Sequence, residues 1–556
     1  MHLSGLTAIK MSFHQRCSVD GSDRVDGRHE WGSGRMKWII ACLAAAVLVL
    51  GGRTMAVERP PNVVLFLVDD LGWRDLGCYG SPSYQTPNID RFAQSAVRFT
   101  DAYAACHVCS PTRASILTGK YPARLKLTDW LPGRKDFPFQ RLLNAEIEPA
   151  VPSDEVTLAE VFRDHGYRTA HLGKWHLGEE PLGPTSQGFE MQVPRWNKGW
   201  PKAGYFAPFQ MEGLVADDGS YLTDCLTDHA VDFIRANQQS PFFLYLAHFA
   251  VHDPIQGPKE LVDQYEQAFD ARVFDGPEYG LEGNPDDEVS LSRSELSELM
   301  SRPGWSGFRV LPRRTVKIKQ RQDNPQFAAM VQSVDRSLGR LIGLLEELKI
   351  HDETIIVFFS DNGGMSAANF GNPRRRIPSD RLDKAFSTSN LPLRAGKGWL
   401  YEGGIRVPLI IRWTGDGRAG AVCPTPVIST DLYPTILEMA GLDPLPEQHQ
   451  DGVSLVPLLR GEKRIDRQAI YWHFPHYSNH GMQSPGGAVR SGDFKLIEYF
   501  ENGTHQLFNL RSDPGEKNDL SDTLPDKAAE LKSMLKVWRT EVGAEMMEVN
   551  PQFVDP

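Results

Sequence analysis

Three stretches of the chain are almost uninterrupted in their apolar character: "NVVLFLV" from Asn62, "PFFLYLA" from Pro241 and "TIIVFFS" from Thr354. Between them the apolar positions recur at helical spacing, as in "LAEVFRDHGY" from Leu158 and "FAAMVQSVDRSLGRLIGLLEELKI" from Phe327. Continuous apolar strands alternating with amphipathic helices predict a mostly parallel sheet covered on both faces. Each strand also runs into polar residues. Asp69-Asp70 follow the first, His252 lies just past the second, and Asp361-Asn362 follow the third. Ligand sites in such sheets gather at the carboxyl ends of strands, so three strand ends deliver polar groups to one rim.

The rhythm breaks twice. From about Asp270 to Asp323 the chain is rich in Gly, Pro and charge, and reads as a long surface insertion. Beyond Gly461, "AIYWHFPHY", "GGAVRSGDFKLIEYF" and "HQLFNL" are short β-like runs separated by turns, closed by the helical "DKAAELKSMLKVWRTEVG". A small antiparallel sheet with one helix is expected there. The division is a leader at 1–56, a catalytic region at 57–460 and a C-terminal subdomain at 461–556. In the leader, Met36-Lys37 precede an apolar run of about 13 residues, Trp38 to Leu50, and Thr54-Met55-Ala56 follow. That is the order of a signal peptide whose true start is Met36, and the run is shorter than the roughly 20 residues of a membrane span. Export to the periplasm or medium is expected, with no membrane span left after cleavage.

Composition narrows this only slightly. The 556 residues are 41% hydrophobic and 24% charged, with a formal net charge of -11, and the pI is near 5.8. An acidic chain argues against a nucleic-acid partner but leaves room for a local basic pocket that takes an anion. Of seven cysteines, Cys17 and Cys42 fall in the leader. Cys78, Cys106, Cys109, Cys225 and Cys423 remain, and an odd number in an exported chain points to one with a separate task. The other four are expected to be plain buried residues, with one disulfide among them as the alternative.

Asp69, Asp70, Asp361 and Asn362 offer hard oxygen ligands that suit Ca²⁺ or Mg²⁺ and match zinc poorly. The competing reading of an Asp after a strand is a helix cap or turn. Within "CHVCSPTRASILTG", Pro111 fits the first turn of a helix. Cys109 then stands at a helix N-terminus, where anions are favoured, with Arg113 about one turn on. Cys106-His107-Val108-Cys109 also forms C-x-x-C, but neither a second such pair for zinc nor a thioredoxin-like context accompanies it.

The segment "CSPTRASILTG" resembles the first motif of the type I sulfatases, and "GYRTAHLGKWH" from Gly166 resembles the second. The likeness continues in order through "VDDLGW", "GKWHLG", "HFAVHDP", "SDNGG", "RAGKGWLYEGGIRVP" and "DPGEKNDL", from Asn62 to Leu520. Two small departures are His107 and Leu172. The resemblance implies an α/β fold of the alkaline-phosphatase-like kind: a large mixed sheet sandwiched by helices, with a small C-terminal antiparallel sheet plus helix. It implies Ca²⁺ on Asp69, Asp70, Asp361 and Asn362, with residue 109 completing the shell, and oxidation of Cys109 to Cα-formylglycine by a maturation enzyme. Arg113 and Lys174 would lie beside that group. His176, His252 and Lys397 would complete the catalytic set. A sulfate ester carries charge that cations must meet before a nucleophile approaches. One hydroxyl of the hydrated aldehyde would attack sulfur, and His252, aided by Lys397, would protonate the leaving alcohol. His176 would then take the proton of the other hydroxyl, so that sulfate is expelled, which a plain serine could not achieve.

The expected activity is sulfuric ester hydrolysis on a sulfated carbohydrate, with galactose or N-acetylgalactosamine sulfate as the first choice. A phosphate- or phosphonate-ester hydrolase of the same superfamily is one rival; a non-catalytic sulfated-glycan-binding protein with unmodified Cys109 is the other. Aromatic rings stack on sugars and imidazoles bond hydroxyls, so His473 and His476 in "YWHFPHYSNH" are candidates for a substrate subsite, against a strand of the small sheet. The basic runs Arg313–Arg321 and Arg374–Arg376 would guide a polyanion or form solvated loops.

Overall fold

A computed structural model of the chain describes residues 59–138, 140–285, 310–311, 315–367, 386–415, 417–481 and 483–553. The leader and Arg374–Arg376 lie outside these residues. Arg59–Pro556 forms one compact unit.

The apolar runs become the centre of a nine-stranded sheet. Asn62–Val68 lies between Phe242–Ala247 and Thr354–Ser360, parallel to both, with Leu67 opposite Ala247 and Val68 opposite Ser360. On one side the sheet continues through Arg168–Gly173 and Met191–Val193, both parallel. On the other, Arg406–Arg412 runs antiparallel to Thr354–Ser360 and to Val97–Tyr103, and the short strands Val422–Cys423 and Val427–Ile428 close the edge. The sheet is therefore mixed.

Strand residues point alternately to opposite faces, and the first strand divides accordingly. Val64, Phe66 and Val68 join one core with the helices Leu222–Asn237, Lys259–Asp270 and Pro325–Glu347. Val63, Leu65 and Leu67 join a second core with Cys109–Thr118, Leu158–Asp164 and Leu432–Met439. Having both faces buried is why the run needs no polar alternation. The helix from Pro325 starts at Asn324, whose side chain accepts from the Gln326 and Phe327 amides, and the one from Leu158 carries a Thr157–Glu160 capping box, both satisfying otherwise orphaned N–H groups.

The C-terminal sheet runs Ile470–Phe474, Gly486–Ser491, Phe494–Tyr499 and His505–Asn509, antiparallel throughout. The helix Pro525–Glu541 packs Leu531, Leu535 and Trp538 into a third core with Trp472, Leu496 and Ile497.

The segment read as a surface insertion departs from expectation. Tyr279–Glu282, Val310–Leu311 and Thr315–Lys319 form a three-stranded sheet. Val316 and Ile318 join the third core. The basic run is thus corrected in its described part. Lys317 and Lys319 are buried, and the Lys319 ammonium lies 2.7 Å from Asp323 and 5.3 Å from the Tyr279 ring. Alternation of Val and Ile with Lys was a strand signal masked by charge. The five cysteines among the described residues are free; four are buried and Cys78 is half-buried.

Candidate active site

The three central strands end side by side, and their trailing residues are stitched together by the backbone. The Asp69 amide donates to Ala250 at 2.9 Å and Val251 donates back to Asp69 at 2.7 Å; Asp361 donates to Val68 at 3.2 Å. Asp70 has φ of 61°, in the left-handed region that non-glycine residues rarely occupy. That turn breaks strand alternation, so successive aspartates serve one site. Carboxylate oxygens of Asp69, Asp70 and Asp361 all lie within 4.8 Å of one another, fully buried.

Around them stands a ring of cations. The Lys174 ammonium is 2.6 Å from Asp69, Lys397 is 2.7 Å from Asp70, and Arg113 donates through Nε to Asp361 at 2.8 Å and through Nη1 to the Lys174 carbonyl at 2.7 Å. Burial and the adjacent Asp361 charge push the Asp69 carboxyl up to about 6, against the pull of Lys174. Burial would raise Asp70 too, but Lys397, His252 and Lys174 hold it well below the carboxylate range. Burial opposes the charge on Lys397, yet Asp70 raises its pKa.

The residues present fit a hard divalent cation. Asn362 donates from Nδ2 to Asp70 at 2.8 Å and to Gly363 at 3.0 Å, while its buried Oδ1 has no partner. Three clustered carboxylates plus an unbonded amide oxygen form an oxygen donor set suited to Ca²⁺.

Cys109 opens the helix Cys109–Thr118, as its Pro111 predicts. It is 2% exposed. Its Sγ lies 3.5 Å from Asp69 Oδ1 and 3.6 Å from the Lys397 ammonium, and within 4.8 Å of a His252 ring nitrogen.

The two histidines are prepared differently. His252 Nδ1 donates to its neighbour's carbonyl, Asp253 O, at 2.7 Å and lies 2.9 Å from the Asp253 carboxylate; Nε2 faces Asp70 at 3.9 Å. Burial and Lys397 oppose its protonation, but Asp70, Asp253 and Asp69 outweigh them and raise its pKa well above the ordinary value. His176, at φ of 59°, is held neutral by burial and by Lys174. Its Nε2 sits 2.7 Å from the Leu131 carbonyl, which can only accept, so that nitrogen carries the proton. Nδ1 is buried with no partner. Gly199 passes so close that a Cβ there would lie 2.3 Å from the His176 ring.

Every catalytic and metal candidate from the sequence thus converges on one centre. His473 and His476 do not share it. His473 Nε2 is 2.7 Å from the Glu545 carbonyl and His476 Nε2 is 2.8 Å from Thr128 Oγ1. Both rings are buried, which lowers their pKa to about 3. The subsite reading of this pair gives way to the strand-and-loop alternative. His480, four residues on and not singled out by sequence, feels the charges of Lys397, Asp70, His252 and Asp253. Only its membership of the same His-rich stretch could have flagged it. His107 is fully buried, its ring 4.2 Å from that of Phe474, and its carbonyl accepts from Gly398 next to Lys397. Leu172 belongs to the core.

Mixed sheet, helices on both faces and a charged centre at the strand ends define an alkaline-phosphatase-like hydrolase. The sulfatase family model matches residues 61–442, and that of the N-sulphoglucosamine sulphohydrolase C-terminal region matches 395–541. N-acetylgalactosamine-6-sulfatase of Sus scrofa is 30% identical over 531 residues, covering 87% of each chain. Arylsulfatase A of Homo sapiens is 30% identical over 540 residues, again covering 87% of each. The chain belongs to the sulfatase family and is a sulfuric ester hydrolase. Among solved structures, Ps i-CgsB in complex with k-i-k-neocarrahexaose superposes with a TM-score of 0.63 at 28% identity, covering 86% of this chain and 93% of that one. A phosphonate monoester hydrolase of Agrobacterium radiobacter shares the fold, with a TM-score of 0.57 at 21% identity, covering 87% of this chain and 96% of that one.

Proposed function

We propose that this protein removes sulfate from a sulfated carbohydrate, with galactose or N-acetylgalactosamine sulfate as the first candidates, after Cys109 has been converted to Cα-formylglycine by a maturation enzyme. The observation that carries this reading is the placement of Cys109 at a helix start between Asp69 and Lys397, facing His252. Relatives named N-acetylgalactosamine-6-sulfatase and a solved relative in complex with k-i-k-neocarrahexaose support the sugar. The order of charged, apolar and small residues at Met36–Ala56 supports export.

Ca²⁺ held by Asp69, Asp70, Asp361 and Asn362, with residue 109, would supply positive charge against the sulfate oxygens, and hydrated formylglycine would supply the attacking hydroxyl. Arg113, Lys174 and Lys397 add fixed positive charge in a water-poor pocket, where it acts strongly on the developing anion. His252, kept protonated by its carboxylate neighbours, delivers a proton from Nε2 to the leaving alcohol. His176 receives a proton at Nδ1, the nitrogen left unbonded when Nε2 is tied to Leu131.

The test combines mass spectrometry of the peptide holding residue 109, from protein made in a host with a maturation system, with turnover of sulfated galactose and N-acetylgalactosamine sugars. Aryl sulfate and aryl phosphate serve as the paired comparison. Formylglycine mass together with saccharide desulfation is expected. Unmodified Cys with tight glycan binding would favour the binding protein, and faster phosphate or phosphonate turnover the phosphohydrolase. Cys109→Ala should abolish turnover while leaving the melting temperature within a few degrees, since the side chain is small; an active variant would sink the mechanism.

A further inference from the structure

His480 stands in the loop between the strands Ile470–Phe474 and Gly486–Ser491, yet it belongs spatially to the centre described above. Its backbone is fixed locally. The amide accepts no freedom to drift, donating to Ser478 Oγ at 3.1 Å, and the carbonyl receives the Ser478 hydroxyl at 2.7 Å. The segment lies flat on Gly398, the residue after Lys397. Gly398 has φ of 88°, and a Cβ there would lie 2.0 Å from the His480 carbonyl oxygen. The loop is thus pressed against the lysine that faces Cys109.

The side chain has the opposite character. It is 5% exposed, and neither ring nitrogen has a hydrogen-bond partner. Leaving both nitrogens of a buried imidazole unpaired is unfavourable and calls for an explanation. Within the site, two other unpaired atoms are Asn362 Oδ1 and His176 Nδ1, each aimed at a partner the reaction would bring. His473 and His476, on the same stretch, have one ring nitrogen bonded within the protein. His480 lies against Gly398, close enough to Lys397, Asp70, His252 and Asp253 to feel their charges, on the side where the leaving alcohol is protonated.

We propose that His480 is a specificity-determining residue that hydrogen-bonds a hydroxyl of the sugar leaving group, supplied by the C-terminal subdomain. A neutral imidazole carries one donor and one acceptor, which matches a hydroxyl or a vicinal pair and suits a sulfate oxygen less well. The inference rests on the carbohydrate reading above.

The test is steady-state kinetics of wild type, His480→Ala and His480→Gln on two probes. One is whichever galactose or N-acetylgalactosamine sulfate the wild type desulfates; the other is p-nitrophenyl sulfate, whose leaving group has no further hydroxyl. His480→Ala should lower kcat/KM on the sugar sulfate by about tenfold or more, mostly through KM. The aryl sulfate should lose far less, and Gln should recover part of the loss. Aryl turnover also reports folding. Equal losses on both probes, or an unaltered KM on the sugar, would overturn the proposal. A wild type that cleaves aryl sulfate but no sugar sulfate would remove the carbohydrate reading and this inference together, an outcome separate from failure of the variant alone.

Discussion

The proton-accepting role proposed for His176 rests on two contacts that have nothing to do with substrate. The Leu131 carbonyl fixes its tautomer, and Gly199 leaves it room. His176→Ala should reduce kcat by about 10²–10⁴-fold, the usual range for a proton-transfer group. Gly199→Ala should push the ring aside and reduce kcat by up to about 10²-fold with little change in melting temperature; unaltered kcat would mean that the ring's position is immaterial. Asp75 makes a pH-dependent claim. Its buried carboxyl accepts from Gly72, Thr388 and Gln322, yet desolvation outweighs those bonds and pushes its pKa up to about 7 from an ordinary 3.8. The folded chain then holds this proton more tightly than the unfolded chain, so the group's contribution to stability falls as pH rises between those values. Asp75→Asn is free of that loss. Its stability relative to wild type should rise with pH, by at most about 1.4 kcal/mol per pH unit, in denaturant unfolding between about pH 5 and pH 7. A pH-independent difference would contradict the shift.

At the scale of elements, two motifs far apart in sequence turn out to be one clamp. Glu402, in "RAGKGWLYEGG", and Glu516, in "DPGEK", share the buried Lys495 ammonium at 3.1 and 2.8 Å, and the Glu402 amide donates to Glu516 at 2.7 Å. Tyr103 of the large sheet donates to Glu402 at 2.7 Å. Lys495→Met would leave the buried Glu516 without its cation and Glu402 with only Tyr103 and Arg406, and should cost about 3–5 kcal/mol in chemical unfolding; the double variant with Glu516→Gln should regain part of it. The strand ends and the Cys109 helix were legible because each needs only local signals: an apolar run, a terminal Asp, a Pro three residues into a helix. The clamp's ion pairs were not, since Lys495 meets Glu402 from 93 positions away and Glu516 from 21, through packing alone. Likewise the sequence offered three histidines in "YWHFPHYSNH", and only the fold distinguishes His480, laid against Gly398, from His473 and His476, bonded elsewhere. Thr315–Lys319 was misread because its lysines outweighed its alternation.

For the whole molecule, the carboxylates crowded at the ends of the central strands would, as the proposed metal ligands, tie metal affinity to stability. A ligand bound only by the folded chain stabilises it by about 2.7 kcal/mol at a hundredfold excess over Kd. Chelation should therefore lower the melting temperature and added Ca²⁺ restore it; a melt indifferent to both would refute the oxygen site. The depth of Cys109 has a different consequence, one of timing. With its helix packed in the second core and its thiol shut in by Asp69 and Lys397, no enzyme large enough to grip the surrounding segment can reach it once the sheet has closed. The proposed conversion of this residue would therefore have to happen while the chain is still open, during or soon after synthesis. On that proposal a molecule that closes first would keep its thiol, and the active fraction of a preparation would record a race between two clocks, one in the maturation enzyme and one in the folding chain.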